Sequence, residues 1–559
     1  MVLMLVMVSG MLFAGGGQSK SIAGKDGAYV IPMLLGTNNA SRGLGTQVKR
    51  SDETRVGQYI RDKFGIVFEY NVNAGDVREM QSLMLSAGTY NELQYIQRDD
   101  MVLNYINAGA LVDLLPSLDK MPNFKSRYKD VIPYWRLICG GPLYKYETWV
   151  PRELDTDIEV NDVFVRIDLL EKAGWPQLRS ASDYIRFLER VVPGARDVSG
   201  RQITGMTIPM GESWGLAGVV PILYEKSEHY LPLSNEGFIF DFSRDQFIDY
   251  FQNAYVKESY KFWSDLNRRG LLDPECFTDT ADITMEKISR GSIAAVYYTG
   301  WLVTSSNNAL REAGHPEMQY IRLPIQSDSQ VANGEKRLVR METTRSFDSW
   351  GITKNCKQPD KLMALIDWAC TDEGQIMLRS GIEGTHWIRD SKGKRVWTDL
   401  FVQATKDNNV NAREGICMLG LSGLPYFNVL AKDGQPHDLT SQIEWIDGQG
   451  LSPQEKDAYS KLGWDSSLTW YSKNIKFGHT GVAGTVYVDP ASNLGTIHTR
   501  MTETRLKHSG SLITAKTDAE FESAYQAAME EYNRLNHKSV IDEFNRQYRA
   551  KLADLNKYR

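Results

Sequence analysis

Gly211-Glu212-Ser213-Trp214-Gly215 fits G-x-S-x-G and follows an apolar run ending near Met210. In that pattern a sharp strand-to-helix turn exposes a serine for attack on an acyl carbon. The mechanism also needs an acid and then a histidine further along the chain. The later histidines, His386, His437, His479, His498, His508 and His537, stand in no distinctive context, so Ser213 reads better as part of a loop at the end of a strand. Two carboxylates about 5 to 10 Å apart would serve glycoside hydrolysis. With 70 acidic residues and no spacing rule to select among them, that chemistry stays open. Metal chemistry has less support: no two of the eight histidines lie within five residues of each other, and neither H-E-x-x-H nor D-x-[DN]-x-[DN]-G occurs. Gly43-Leu44-Gly45 lacks the rest of a dinucleotide fingerprint and there is no P-loop, so neither a metal nor a cofactor is expected. Cys139, Cys276, Cys356, Cys370 and Cys417 form no C-x-x-C pair; they read as small buried hydrophobes, with Cys356 and Cys370 the only near pair that could bridge.

Aromatic placement is the stronger signal. The 13 tryptophans and 27 tyrosines include Trp135, Trp149, Trp214, Trp301, Trp350, Trp387, Trp464 and Trp470 in polar, glycine-containing or charged surroundings. Sugar rings present apolar C–H faces that stack on indole, while their hydroxyls take directional hydrogen bonds, so such loops suit carbohydrate recognition. Several of these rings must also be core anchors. Trp301 and Trp387 have glycine and polar neighbours that put them at element ends. Arg340, Glu342 and Arg345 form a charged cluster ahead of a strand containing Trp350, a pattern that most often marks solvated surface.

The elements that must hold these residues follow from composition and periodicity. The chain has 559 residues, 42% of them hydrophobic and 24% charged, which at about 150 residues per domain gives two to four compact units. A formal net charge of −6 with no Lys/Arg run argues against nucleic acid as a partner. The one long apolar stretch, Val2 to Ala14, is about 13 residues, short of the roughly 20 that span a bilayer. Followed by Gly15-Gly16-Gly17 and polar residues, it has the layout of a signal peptide over residues 1–17, with Gly16 where a lipoprotein would carry its acylated cysteine. An exported protein, periplasmic or at the cell surface and without a lipid anchor at that position, is expected.

Strand-like Ala28–Leu35, a helix over 51–64 stopped by Gly65, a strand Ile66–Tyr70, a helix 76–87 and a strand 92–96 predict a parallel α/β unit. A second alternation follows, with a strand 162–166, helices over 169–173 and from a Ser182 cap to 192, and a strand 203–208. Further on, a helix 253–269, a strand 292–298 and one long helix 360–378 opening at Pro359 are predicted, and the last forty residues from Thr517 read as amphipathic helix.

Taken in order, several blocks resemble those of the extracellular solute-binding proteins of ABC sugar importers, family 1, especially the large oligosaccharide-binding branch. Tyr59-Ile-Arg-Asp-Lys-Phe-Gly-Ile-Val-Phe-Glu69 is similar to the family's first helix and second strand, and Asn107-Ala-Gly-Ala-Leu-Val-Asp-Leu114 to its "aGalvdL" segment. Val165-Arg-Ile-Asp-Leu-Leu-Glu-Lys-Ala-Gly174 resembles the "iRkDwLdklG" block and Gly270-Leu-Leu-Asp-Pro-Glu275 the "GLidPE" turn. The most specific blocks are Asp367 to Gln375 and Gly381-Ile-Glu-Gly-Thr-His-Trp387. Where some alginate and glycosaminoglycan binders of the branch carry a calcium loop, Pro193–Gln202 here keeps one acid, which argues against calcium.

The resemblance implies an α/β, two-lobed periplasmic-binding-protein fold of type 2, its lobes joined by a multi-crossing hinge near residues 149–161, 311–319 and 351–355. It implies an N-terminal lobe of residues 28–152 and 316–353 and a C-terminal lobe of 158–312 and 354–559. An oligosaccharide would bind between the lobes and be passed to the transmembrane subunits of an ABC permease by a protein acting as a monomer and not as an enzyme. The expected lining is Thr37, Asn38 and Asn39 after the first strand, Ser213 and Trp214, Trp301, and His386 with Trp387. Arg345 would pair with a uronate carboxylate, since a bidentate guanidinium suits that group. A polysaccharide-degrading enzyme and a peptide-type solute binder are the alternatives.

Overall fold

A computed structural model describes residues 27–35, 44–72, 76–97, 99–148, 161–212, 215–216, 223, 226–232, 238–251, 253–298, 300–341, 349–418, 422–427, 429–445 and 450–559. The chain opens with β1 (Tyr29–Leu35), α1 (Arg55–Phe64), β2 (Ile66–Val72), α2 (Val77–Ala87), β3 (Leu93–Ile96), α3 (Ile132–Cys139) and β4 (Tyr146–Glu147). Next come β5 (Asp162–Arg166), α4 (Ala181–Val191), β6 (Thr204–Thr207), β7 (Tyr230–Pro232), β8 (Phe238–Asp241) and β9 (Gln246–Asp249). They are followed by α5 (Ala254–Arg268), β10 (Ile293–Tyr298), α6 (Trp301–Glu312), β11 (Tyr320–Leu323) and β12 (Arg337–Met341). Then come β13 (Ser349–Ile352), α7 (Pro359–Ala369), α8 (Asp372–Ser380), β14 (Trp387–Arg389) and β15 (Arg395–Trp397). The last elements are α9 (Pro453–Lys461), α10 (Ser467–Asn474), β16 (Ile475–His479), α11 (Asn493–Ile513), α12 (Asp518–Arg534) and α13 (His537–Tyr558).

Local chemistry sets most of these boundaries. The Thr54 hydroxyl accepts from Gly57 N–H to start α1, and Gly65 ends it at φ 59°. Asp76 caps α2 through Arg78 and Glu79 N–H. The cap of α4 is Ser180, two residues before the expected Ser182, because Asp183 returns the bond and completes a capping box. The single helix expected over 360–378 is two: α7 ends at Ala369, and Thr371 accepts from Gly374 N–H to start α8.

Pairing follows the expected pattern at first and then departs from it. β1 and β2 are parallel, from Tyr29↔Ile66 to Leu35↔Val72. β3 does not continue that sheet; it pairs antiparallel with β13, which also pairs with β4. The second main sheet has the order β11-β5-β10-β6. It is mixed, with β10 parallel to β6 and antiparallel to β5.

Two cores result. Ile31, Phe68, Trp135, Trp350, Ile366, Leu378 and Phe427 belong to the first. Val163, Leu188, Trp263, Ile321, Leu512, Tyr525 and Phe544 belong to the second. The chain passes from first to second between residues 148 and 161, returns between 341 and 349, and passes again between 445 and 450. The expected lobe boundaries at 316 and 354 do not coincide with these changes of core. Residues 311–319 lie inside the second unit, because β11 simply adds to the edge of β5, and 359–380 joins the first core through the buried face of α7 and the Phe124 N–H to Asp367 carboxylate bond at 2.8 Å. Sequence alternation reports that an apolar face exists and not which core receives it. Helices α11–α13 pack with α5 and β8–β9. The Arg136 guanidinium of α3 sits 4.7 Å over the Tyr558 ring of α13, so the C-terminal helix touches both units.

Candidate functional site

The register of the four-stranded sheet brings several chain segments to one end. Tyr298 at the end of β10 pairs with Asp162 at the start of β5, Leu323 at the end of β11 with Val163, and Val296 with Thr207 at the end of β6. The segments leaving β6 towards Gly211 and β10 towards Gly300 therefore depart from the same edge, where β5 begins. Trp301 is the first residue of α6 at this edge. Thr37, Asn38, Asn39, Ser213, Trp214 and Arg345 lie outside the described residues.

The G-x-S-x-G pattern has a packing explanation. A Cβ on Gly211 would meet the backbone of Thr278 at 2.6 Å, and one on Gly215 would lie 2.0 Å from the carbonyl oxygen of Pro209. Gly211 N–H donates to Asp279 O and Gly215 N–H to Glu212 O. Both glycines allow close backbone approach, which needs no nucleophile between them.

His386 and Trp387 are the expected site residues whose side chains are described, and both lie in the turn that follows α8. His386 is fully buried and Trp387 is 4% exposed, so neither presents a face to a ligand here. His386 Nδ1 accepts from Ile382 N–H at 2.8 Å. Its Nε2 meets the Glu414 carboxylate at 3.0 Å, which Arg55 also holds at 2.9 Å. Burial lowers the imidazole pKa against the opposing pull of Glu414, which leaves a neutral ring with its proton on Nε2. Trp387 Nε1–H donates to Gly381 O at 3.0 Å. Both side chains close the turn between α8 and β14.

A constellation that the expected lining omitted stands at the sheet end described above. Asp162 is wholly buried and accepts from Arg337, from the Tyr471 hydroxyl and, at 3.2 Å, from Ile325 N–H. Arg337 also donates to Asn161 O at 2.9 Å. Burial pushes the Tyr471 phenol well above its usual value, keeping it a donor. The next residue back, Trp470, starts a column of near-parallel rings. Trp470 and Trp464 lie 4.9 Å apart at 18°, and Trp464 and Tyr459 5.9 Å apart at 13°. Tyr459 is tied to β11, accepting from Arg322 N–H at 3.1 Å and donating to Arg322 O at 3.4 Å. The sequence marked Trp464 and Trp470 as tryptophans in polar surroundings; their stacking needed the tertiary structure.

Clustered acids and a metal can be weighed on the same geometry. Asp273, Glu275 and Asp279 surround the Lys287 ammonium at 2.9, 2.7 and 2.6 Å, so a lysine of the chain itself occupies the centre of this acidic turn. Asp197, in the stretch Pro193–Gln202, accepts from Ser199 N–H and Oγ, Arg201 N–H and Nε, and Ser292 Oγ. Burial opposes its ionisation, yet these donors hold the carboxyl well below the usual range, with the Arg201 guanidinium supplying the positive charge. No group of three or more His, Cys, Asp or Glu side chains placed to hold a metal ion occurs among the described residues, and no helix among them is long and apolar enough to cross a membrane.

Comparison with family models and with curated protein sequences returns no match. Comparison with solved structures returns many. An HMO-binding ABC-transporter-associated solute-binding protein from Bifidobacterium longum infantis aligns over 96% of this chain and 100% of its own, with TM-score 0.66 and 13% identity. The ABC-transporter substrate-binding protein FusA of S. pneumoniae, in complex with kestose, aligns over 94% and 100% with TM-score 0.62 and 15% identity. The alginate-binding protein AlgQ2 without calcium ion aligns over 93% and 97% with TM-score 0.60 and 14% identity. Two cores, three passages of chain between them and alignment along nearly the whole length agree: this chain has the two-lobed fold of the ABC-transporter solute-binding proteins.

Proposed function

We propose that this chain is the substrate-binding component of an ABC importer, capturing an oligosaccharide between its two units and delivering it to a membrane permease. The observation that carries the reading is the fold shared over 96% of this chain with a solute-binding protein that is itself covered completely. An embellished enzyme domain would not be expected to match end to end. In such a protein the ligand favours the closed arrangement through contacts to both units, and its differential affinity sets how far closure goes. Thr37, Asn38 and Asn39 after β1, Ser213 and Trp214 after β6 and Trp301 after β10 are the proposed lining, with Arg345 in the returning passage as the partner of a uronate carboxylate. The protein is proposed to act as an exported monomer whose partner is the permease.

Thermal melting tests the reading. The protein from about residue 18 is mixed with kestose, an alginate oligosaccharide, an N-glycan fragment or a short peptide, and each mixture is then analysed for product. A sugar at about 100-fold over its Kd should raise Tm by about 2 °C, concentration-dependently and with the sugar intact. A shift with peptide alone, cleavage of the sugar, or no shift with any sugar would each overturn the oligosaccharide reading.

A further inference from the structure

We propose that the Tyr459–Trp464–Trp470 column is a sugar-stacking platform of the binding site, with Trp470 as the ring on which a glycan unit lies. The inference rests on the oligosaccharide reading above and adds to it a residue outside the expected lining. Three observations lead to it. The first is ring geometry. Some aromatic pairs inside the second core meet edge-on, as Phe240 with Phe247 and Phe251 with Tyr532 do, both at 80°, while the buried pair Phe521 and Tyr525 stacks at 22°. The column is near-parallel at 13° and 18° and, unlike that buried pair, its two tryptophans are only partly buried. Parallel rings present a flat indole face, and the C–H face of a pyranose is complementary to its negative quadrupole.

The second is polar satisfaction. Trp387 gives its indole N–H to a carbonyl, whereas neither Trp464 nor Trp470 has a side-chain hydrogen-bond partner among the described residues. A partly exposed indole whose N–H has no partner among the described residues can hold a ring face and one hydroxyl together. The third is anchoring. Tyr459 is bonded to β11 through Arg322, and Tyr471, edge-on to Trp470 at 5.2 Å, is bonded to Asp162 at the start of β5. Both attachments lie at the end of the sheet where β6 and β10 end and β5 begins. The rings are thus held in place before ligand arrives, and little side-chain entropy is lost on binding.

Two substitutions separate a platform from a structural anchor. Trp470→Leu keeps apolar volume and removes the flat face; Trp470→Phe keeps a flat ring. Titration calorimetry uses whichever of kestose, the alginate oligosaccharide or the N-glycan fragment shifts the melting of the unsubstituted protein, with Leu83→Ala, at a residue 64% exposed on α2, as the control. Trp470→Leu should raise Kd by about tenfold or more, Trp470→Phe should stay within about threefold, and the control should be unchanged. Unliganded melting temperatures of both Trp470 variants should match that of the parent. Unchanged Kd in Trp470→Leu overturns the platform and leaves the oligosaccharide reading standing. An equal loss in both variants together with lowered unliganded melting shows an anchor and also overturns it. If the unsubstituted protein binds none of the sugars, the functional reading fails and the platform falls with it.

Discussion

The imidazole of His386 occupies the space that a side chain at residue 381 would need: a Cβ built on Gly381 lies 2.3 Å from Nδ1. Gly381 also has φ 78° and ψ −153°, a region essentially reserved for glycine. The two residues close one turn, since Nδ1 accepts from Ile382 N–H immediately after the glycine. Gly381→Ala is expected to lower unfolding free energy by about 3 kcal/mol through strain and collision. Urea unfolding measures it, and a loss below about 1 kcal/mol would show that the turn relaxes freely.

Stability should fall as pH drops below neutrality. Burial lowers the pKa of His386, against Glu414 and with Arg55, and of His437, against Asp372 and with Arg127 and Arg395. The unfolded chain takes up protons near the ordinary histidine value of about 6.5, before the native state does. The unfolded state then binds more protons, so these groups contribute fully above that pH and their contribution is lost as pH falls through the native values. The urea midpoint should be lower at about pH 5.5 than at about pH 7.5 with an unchanged slope; equal midpoints would contradict the assignment.

The Asp162–Arg337 pair is buried on both sides, with side chains 0% and 1% exposed. Arg337→Met should cost about 3 to 5 kcal/mol because it strands a buried carboxylate. Adding Asp162→Asn to Arg337→Met should return part of that loss, and chemical denaturation of the three proteins gives the coupling. Additive effects would show that the pair does not act as one unit.

All five cysteines are free, and Cys139, Cys276 and Cys370 are buried. Burial raises the Cys276 and Cys370 thiols and pushes Cys356 up to about 12, which suppresses thiolate. A thiol reagent should therefore find five groups in denaturant without reductant and react slowly with the native protein. Three groups in denaturant would mean that a bridge, such as the expected Cys356–Cys370 pair, does form.

Much of the secondary structure was readable because it is decided within a few residues. The strand 162–166, the helix closed by Gly65 and the Asp76 cap follow from periodicity, a left-handed glycine and a short acceptor side chain. The sequence by itself also determined the α/β class, the absence of a charge pattern suited to nucleic acid, and the suspicion attached to Trp464 and Trp470. Tertiary structure alone decided the rest. β3 found its partner in β13, more than 250 residues away, and the face of α7 joined the first core, since neither choice leaves a trace in local spacing. The same holds at the site. The tryptophan in Gly381–Trp387 looked like a ligand contact because its neighbours are polar and glycine-rich, but burial and a carbonyl partner committed it to the turn. The Tyr459–Trp464–Trp470 column exists because a loop and a helix fold onto one strand edge, and stacking of rings is a property of that three-dimensional arrangement.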